Sequence, residues 1–214
     1  MSEYVLYWAL HHHRRFDVYG MWRQDKIWKN LRQIDTRDRK VGILGLGVLG
    51  GDAARKLKTF HFDVAGWSRT KKNIDGVTSY FGADQMAAFL ARTEILVCLL
   101  PLTNDTRGIV DAKLLAGLPK DAVFINCARG GHVIDADLIR ALDGGHIRHA
   151  VLDVFHTEPL PADNPFWTHP KVTVTQHMAS LTVPTSASEW MAENIKLIEA
   201  GKPPLNTVDL NRGY

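Results

Sequence analysis

Cysteine is scarce in this sequence, with two residues in 214, Cys98 and Cys127. Both lie in apolar runs that read as buried strands. That excludes a disulfide-stapled fold and points to packing in a reducing compartment. Long apolar runs are also missing, and none approaches the roughly 20 residues of a membrane span. The opening "MSEYVLYWAL" has an apolar centre but neither a basic n-region nor a small-residue cleavage site, so no signal peptide is expected. An excess of charge of one sign is lacking too. The 26 basic and 23 acidic residues leave a net charge of +3, too balanced for a nucleic-acid surface. These absences predict a cytoplasmic protein that engages neither nucleic acid nor membrane. Histidine is plentiful at ten residues, three of them in "HHH" at 11–13. Neighbours on a helix point in different directions, and no second ligand set with zinc-like spacing follows, so no metal site is expected.

What is present is an ordinary globular composition, 45% apolar and 23% charged, on a chain long enough for a full core. Residues 3–18 read as a helix, with Ser2 as N-cap and Gly20 as its stop. The polar segment 21–38, with spaced tryptophans, reads as an arm or linker. From residue 40 short apolar strands alternate with helices: "KVGILG", "HFDVAGWS", "EILVCLL", "DAVFINC", "HAVLDVF" and "KVTVT" are the strands. This alternation predicts an α/β fold, a doubly wound parallel sheet of Rossmann type. Such sheets bind ligands beyond the carboxyl ends of their strands. A final helix is expected from Pro184 to Ala200, with Trp190, Ile195, Leu197 and Ile198 available to pack.

The first strand runs into Gly45-x-Gly47-x-x-Gly50 at the start of a helix. In that context Gly45 permits the tight turn, Gly47 lets the backbone approach a pyrophosphate, and Gly50 allows helix to pack on strand. The helix N-terminus adds amide donors and positive potential. About 20 residues further on, an NAD site offers an acid to the ribose 2′-hydroxyl. Here the stretch is "WSRTKK", with Ser68, Arg69, Thr70 and Lys71. An acid would repel a 2′-phosphate, whereas a guanidinium suits one by shape and charge. NADP(H) is therefore expected ahead of NAD(H).

Three later strands are followed by residues able to do chemistry: Arg129 in "INCARGGHVID", Asp153 and Glu158 in "LDVFHTEPLP", and His177 in "VTVTQHMAS". A carboxylate can orient an imidazole and favour its protonated form. The imidazolium can protonate a carbonyl oxygen as hydride reaches carbon. An arginine can grip a substrate carboxylate and polarise the adjacent carbonyl.

Taken together, "GILGLGVLG", "WSRT", "LLPLTNDTRGIV", "NCARGGHVIDADLIRALDGG", "AVLDVFHTEPLP", "NPFWTHPKVTVTQH" and the ending "VDLNRGY" resemble the D-2-hydroxyacid dehydrogenase family. "WSRT" and the "RGY" terminus favour its glyoxylate/hydroxypyruvate branch. The resemblance implies hydride transfer from NADPH to a small 2-keto acid, glyoxylate or hydroxypyruvate, giving the D-2-hydroxy acid. It implies that Arg129 binds substrate, that His177 is the general acid, and that Glu158 is its partner. It places Asp153 at the nicotinamide carboxamide, and Val48, Leu49, Leu100, Pro101, Thr106, Cys127 and Ala128 along the cofactor groove. It also implies a homodimer. Gln176 stands where the family usually has proline, and Val183 where close relatives look to have arginine. Family members have two domains. The resemblance divides this chain into an interdomain helix and arm (1–38), the dinucleotide-binding domain (39–180), and a helix and tail of the substrate domain (181–214). A front segment of about 100 residues, the scale of a small domain, is expected to be missing. The alternative expectation is a non-catalytic module that holds a dinucleotide and dimerises.

Overall fold

A computed structural model describes residues 1–205 and 207. The "VDLNRGY" ending lies outside the described residues. The chain divides into two compact units, Met1–Ala179 and Ser180–Tyr214.

The first unit carries seven strands: β1 (Lys40–Leu44), β2 (Asp63–Ser68), β3 (Thr78–Phe81), β4 (Ile95–Cys98), β5 (Ala122–Asn126), β6 (Ile147–Leu152) and β7 (Val172–Val174). Every pairing is parallel, and the spatial order is β3-β2-β1-β4-β5-β6-β7. The order reverses between β1 and β4, the switch point at which doubly wound sheets open a crevice.

Because strand side chains alternate between faces, the sheet feeds two cores. On one face Val41, Ile43, Val97, Ile125 and Val151 pack with α1 (Ser2–His13) and α3 (Val48–Thr59). On the other, Leu44, Leu96, Phe124 and Leu152 pack with α4 (Met86–Arg92), α5 (Ala112–Ala116) and α6 (Asp135–Asp143). Helices on both faces give the doubly wound α/β fold that the alternation predicts. Cys98 and Cys127 are buried and unbonded to one another.

The front of the chain departs from expectation. The predicted helix over 3–18 is two helices, α1 and α2 (Phe16–Gln24), broken at Arg15, whose φ is +60°. Gly20 lies inside α2 rather than stopping a helix. The junction is held by Asp17, which accepts from Arg148 Nη1 on β6 at 2.5 Å. Ser2 does not cap α1; its hydroxyl bonds to Asp52 on α3 instead. Within "HHH", His12 is buried against the His149 ring, centroids 5.0 Å apart, and burial pushes its pKa down to about 2. It is therefore a neutral core residue. Among the described residues no group of three or more His, Cys, Asp or Glu side chains is placed to hold a metal. Nor is any helix among them long and apolar enough to cross a membrane.

In the second unit α7 (Pro184–Glu199) forms where a helix is expected, with Pro184 in its first turn. Trp190, Ile195 and Ile198 are exposed.

Candidate active site at the carboxyl ends of the strands

The sharp turn between β1 and α3 starts at Gly45, whose φ of +101° suits glycine alone. A Cβ on Gly50 would lie 1.8 Å from the Gly45 carbonyl oxygen, so helix and turn touch as backbone. At Gly47 an added Cβ would meet nothing within 4 Å. That open face lies at the N-terminus of α3, where orphan amides and the helix dipole favour an anion. Val48 and Leu49 sit exposed in this first helical turn. The turn thus fits a dinucleotide pyrophosphate.

Ser68 ends β2, is buried, and its hydroxyl donates to the Thr70 carbonyl at 2.8 Å. This bond curls the chain so that Arg69, Thr70 and Lys71 stand exposed beyond the strand. Across the switch point, Leu100 and Pro101 follow β4. Thr106 Oγ1 donates to the Pro101 carbonyl at 2.6 Å and accepts from the Thr103 amide at 2.8 Å. Thr106 therefore ties its loop shut.

Arg129 follows β5 and is exposed. Its carbonyl accepts from Asn126 Nδ2 at 3.1 Å and lies 3.0 Å from His132 Nδ1. Asn126 Oδ1 also accepts from the Ala128 amide at 3.2 Å. Cys127 and Ala128, between these contacts, are buried. The loop carrying Arg129 presses on the loop carrying Glu158, for a Cβ on Gly130 would lie 2.0 Å from the Phe155 carbonyl carbon. His156 Nε2 adds a 2.9 Å contact to the Val133 carbonyl oxygen.

Glu158 and His177 meet directly, Oε2 to Nδ1 at 2.6 Å. The other carboxylate oxygen, Oε1, accepts from the Phe155 amide at 2.8 Å. Partial burial pushes the Glu158 pKa up, but the bonds from His177 and Phe155 and the charges of His177 and Arg129 outweigh it and hold the carboxyl below its usual range. An ionised acceptor on Nδ1 leaves the far nitrogen, Nε2, to carry the transferable proton.

His177 has a φ of +52°, a left-handed conformation that costs about 1–3 kcal/mol in a residue with a side chain. Asp153 compensates. Three successive amides donate to it: His177 to its carbonyl at 2.8 Å, and Met178 and Ala179 to its two carboxylate oxygens, each at 2.9 Å. Thr175 Oγ1 donates to the same carboxylate at 2.5 Å. Asp153 is 1% exposed. The sequence reading offered Asp153 for the cofactor and missed these bonds, along with Asn126 and Thr175. The one local signal for Thr175 is a hydroxyl at the end of β7, two residues before the histidine.

Residues 6–179 match the family described as D-isomer specific 2-hydroxyacid dehydrogenase, NAD binding domain. The chain belongs to this family. It is 47% identical over 214 residues to glyoxylate/hydroxypyruvate reductase A of Serratia proteamaculans, covering all of this chain and 68% of that relative. Among solved dehydrogenases of the family, one from Xanthobacter autotrophicus in complex with NADPH and MES superposes with a TM-score of 0.95 at 46% identity, over 100% of this chain and 88% of that one. The NADPH-dependent glyoxylate/hydroxypyruvate reductase of Sinorhizobium meliloti, in complex with NADP and sulfate, gives 0.95 at 43% identity, over 100% and 69%. The sheet, the glycine turn and the later loops are thus those of a D-2-hydroxyacid dehydrogenase.

Proposed function

We propose that this chain carries the dinucleotide site and the acid–base site of an NADPH-dependent reductase of small 2-keto acids, glyoxylate or hydroxypyruvate. The observation that carries the reading is the 2.6 Å pair of His177 and Glu158, set beside the Arg129 loop at the ligand edge of the sheet. The cofactor would be held by Gly45, Gly47, Val48, Leu49 and Gly50 at its pyrophosphate, and by Ser68, Arg69 and Thr70 at its adenosine end. Leu100, Pro101, Thr106, Cys127, Ala128 and Asp153 would line the nicotinamide side. The exposed guanidinium at Arg69, with no acid at the end of β2, supports NADP(H) over NAD(H). The relatives' bound NADPH and NADP support the same preference.

A nicotinamide held by these residues would supply the hydride. Arg129 grips the substrate carboxylate and draws electron density from the carbonyl oxygen. His177, aimed by its 2.6 Å contact with Glu158, gives a proton to that oxygen as the carbon is reduced. The product is the D-2-hydroxy acid, and the neutral imidazole is reprotonated from solvent. Residues 181–214 are assigned to the substrate domain. Exposed Tyr7, Phe16, Met21 and Trp28 along α1, α2 and the arm support a homodimer.

Initial rates of NADPH and NADH oxidation with glyoxylate and with hydroxypyruvate test the reading. Turnover that prefers NADPH is expected. Tight dinucleotide binding without turnover of either keto acid would overturn it in favour of a non-catalytic binding module.

A further inference from the structure

The Asp153 carboxyl group is buried, and among the described residues its partners are three, none a cation: the Thr175 hydroxyl and the amides of Met178 and Ala179. Thr175 has a further contact. Its Oγ1 lies 2.7 Å from the hydroxyl of Tyr4, on the first turn of α1. A hydroxyl carries one proton. Thr175 donates that proton to Asp153 Oδ1, whose carboxyl oxygens also accept from the two amides. The proton between the two hydroxyls must then belong to Tyr4. The chain has one direction: Tyr4 donates to Thr175, Thr175 to Asp153, and Asp153 collects the amides that follow His177. Tyr4 is itself buried, and burial raises its pKa above the ordinary phenol value, so it stays a donor across the working pH range.

We infer that Tyr4 is a positioning residue for the His177 imidazole, acting through Thr175 and Asp153 on the turn at 177–179, which His177 enters in a left-handed conformation. Hydrogen bonds in series polarise one another, and a proton donated to Thr175 strengthens the bond that Thr175 makes. Without it, Thr175 is free to rotate towards other acceptors. The Asp153 carboxylate then loses one of its three anchors, and the strained turn has less to oppose it. The functional part of this inference rests on His177 being the proton donor of the proposed reaction; the structural part does not.

The test uses the full chain and four variants: Tyr4→Phe, Thr175→Val, Thr175→Ser and the double Tyr4→Phe/Thr175→Val. The first readout is amide hydrogen exchange at Met178 and Ala179. Tyr4→Phe should speed it roughly three- to tenfold, the effect of about one lost hydrogen bond. Amides of β1 and β4 should keep their protection. Thr175→Ser should behave as the parent, because it retains the hydroxyl. The double variant should match Thr175→Val alone, because Tyr4 has nothing left to act through. The second readout is turnover. Tyr4→Phe should lower kcat by a factor similar to its exchange effect and leave the NADPH dissociation constant unchanged.

Unchanged exchange at 178 and 179 in Tyr4→Phe would overturn the inference. So would a Tyr4→Phe effect that persists in full on the Thr175→Val background. If the parent chain reduces neither keto acid, the proposed function fails, and the amide measurement still decides whether Tyr4 holds the turn.

Discussion

At the β1–β2 end of the sheet edge the groups proposed to hold the cofactor are backbone amides around Gly45, Gly47 and Gly50, with side chains 69–71 exposed beyond them. At the β5–β7 end they are side chains, each held from behind by a buried polar group: Arg129 by Asn126, and His177 by Asp153. Under the proposed function the difference follows from the tasks. A pyrophosphate is a diffuse anion that any array of amides can hold. A proton donor must be aimed to within a hydrogen bond's tolerance, so its backbone is fixed by a carboxylate taken out of water.

Breaking the second end should cost turnover without cost to the first. His177→Ala is expected to lower kcat by about 10²–10⁴-fold, the usual contribution of a positioned acid. NADPH binding, followed by fluorescence titration, should change less than about twofold. Equal loss of both would erase the distinction between the two ends.

The glycine turn can be divided against itself. Gly50→Ala forces a Cβ against the Gly45 carbonyl oxygen and should destabilise the fold by roughly 1–3 kcal/mol, seen as a lowered urea midpoint. Gly47→Ala has open space for its methyl group, so its midpoint should stay put while dinucleotide affinity falls. A turn that merely makes a compact corner would leave affinity for both cofactors untouched in Gly47→Ala.

Arg69→Ala sharpens the first end further. NADPH affinity should drop about tenfold, the worth of a charged hydrogen bond of roughly 1.5 kcal/mol, with NADH unaffected. Parallel losses for the two cofactors would remove Arg69 from the 2′-phosphate.

These ends were unequally readable from sequence. The glycine spacing and the strand–helix alternation are local patterns, so the dinucleotide half could be placed by number. The strand β3 was missed because "TSYF" is a short edge strand, exposed or half-exposed at each position, with no apolar run to mark it. The break between α1 and α2 was missed because it falls at Arg15, with neither glycine nor proline to announce it. The service of Asp153 to the His177 turn is a contact across 24 or more residues, made by groups whose types are common in loops. Tyr4 is more distant still, and no periodicity records a hydroxyl on a helix meeting another at the end of a strand.

The smallest expected effect is on acid stability. The Glu158 carboxyl is held below its usual range in the folded chain. The unfolded chain therefore takes up its proton first, and stability from this group is present above about pH 5 and fades as pH falls through the folded value. Because the pair is partly exposed, the effect should be under about 1 kcal/mol. Thermal melts from pH 7 to pH 3 should show a slightly shallower decline for Glu158→Gln than for the parent; an identical slope would mean the pair contributes to aim and not to stability.

The contact between Tyr4 and Thr175 spans 171 residues. During synthesis α1 leaves the ribosome long before β7 exists, so its tyrosine waits without its final partner through nearly the whole of the first unit. Loop closure over such a length is a late event. Glycine turn and early strands can assemble from neighbouring segments, and a chain halted before β7 could already have the means to hold a dinucleotide. Within the first unit the aim of the histidine needs α1 and the end of β7 together, so it comes after the glycine turn.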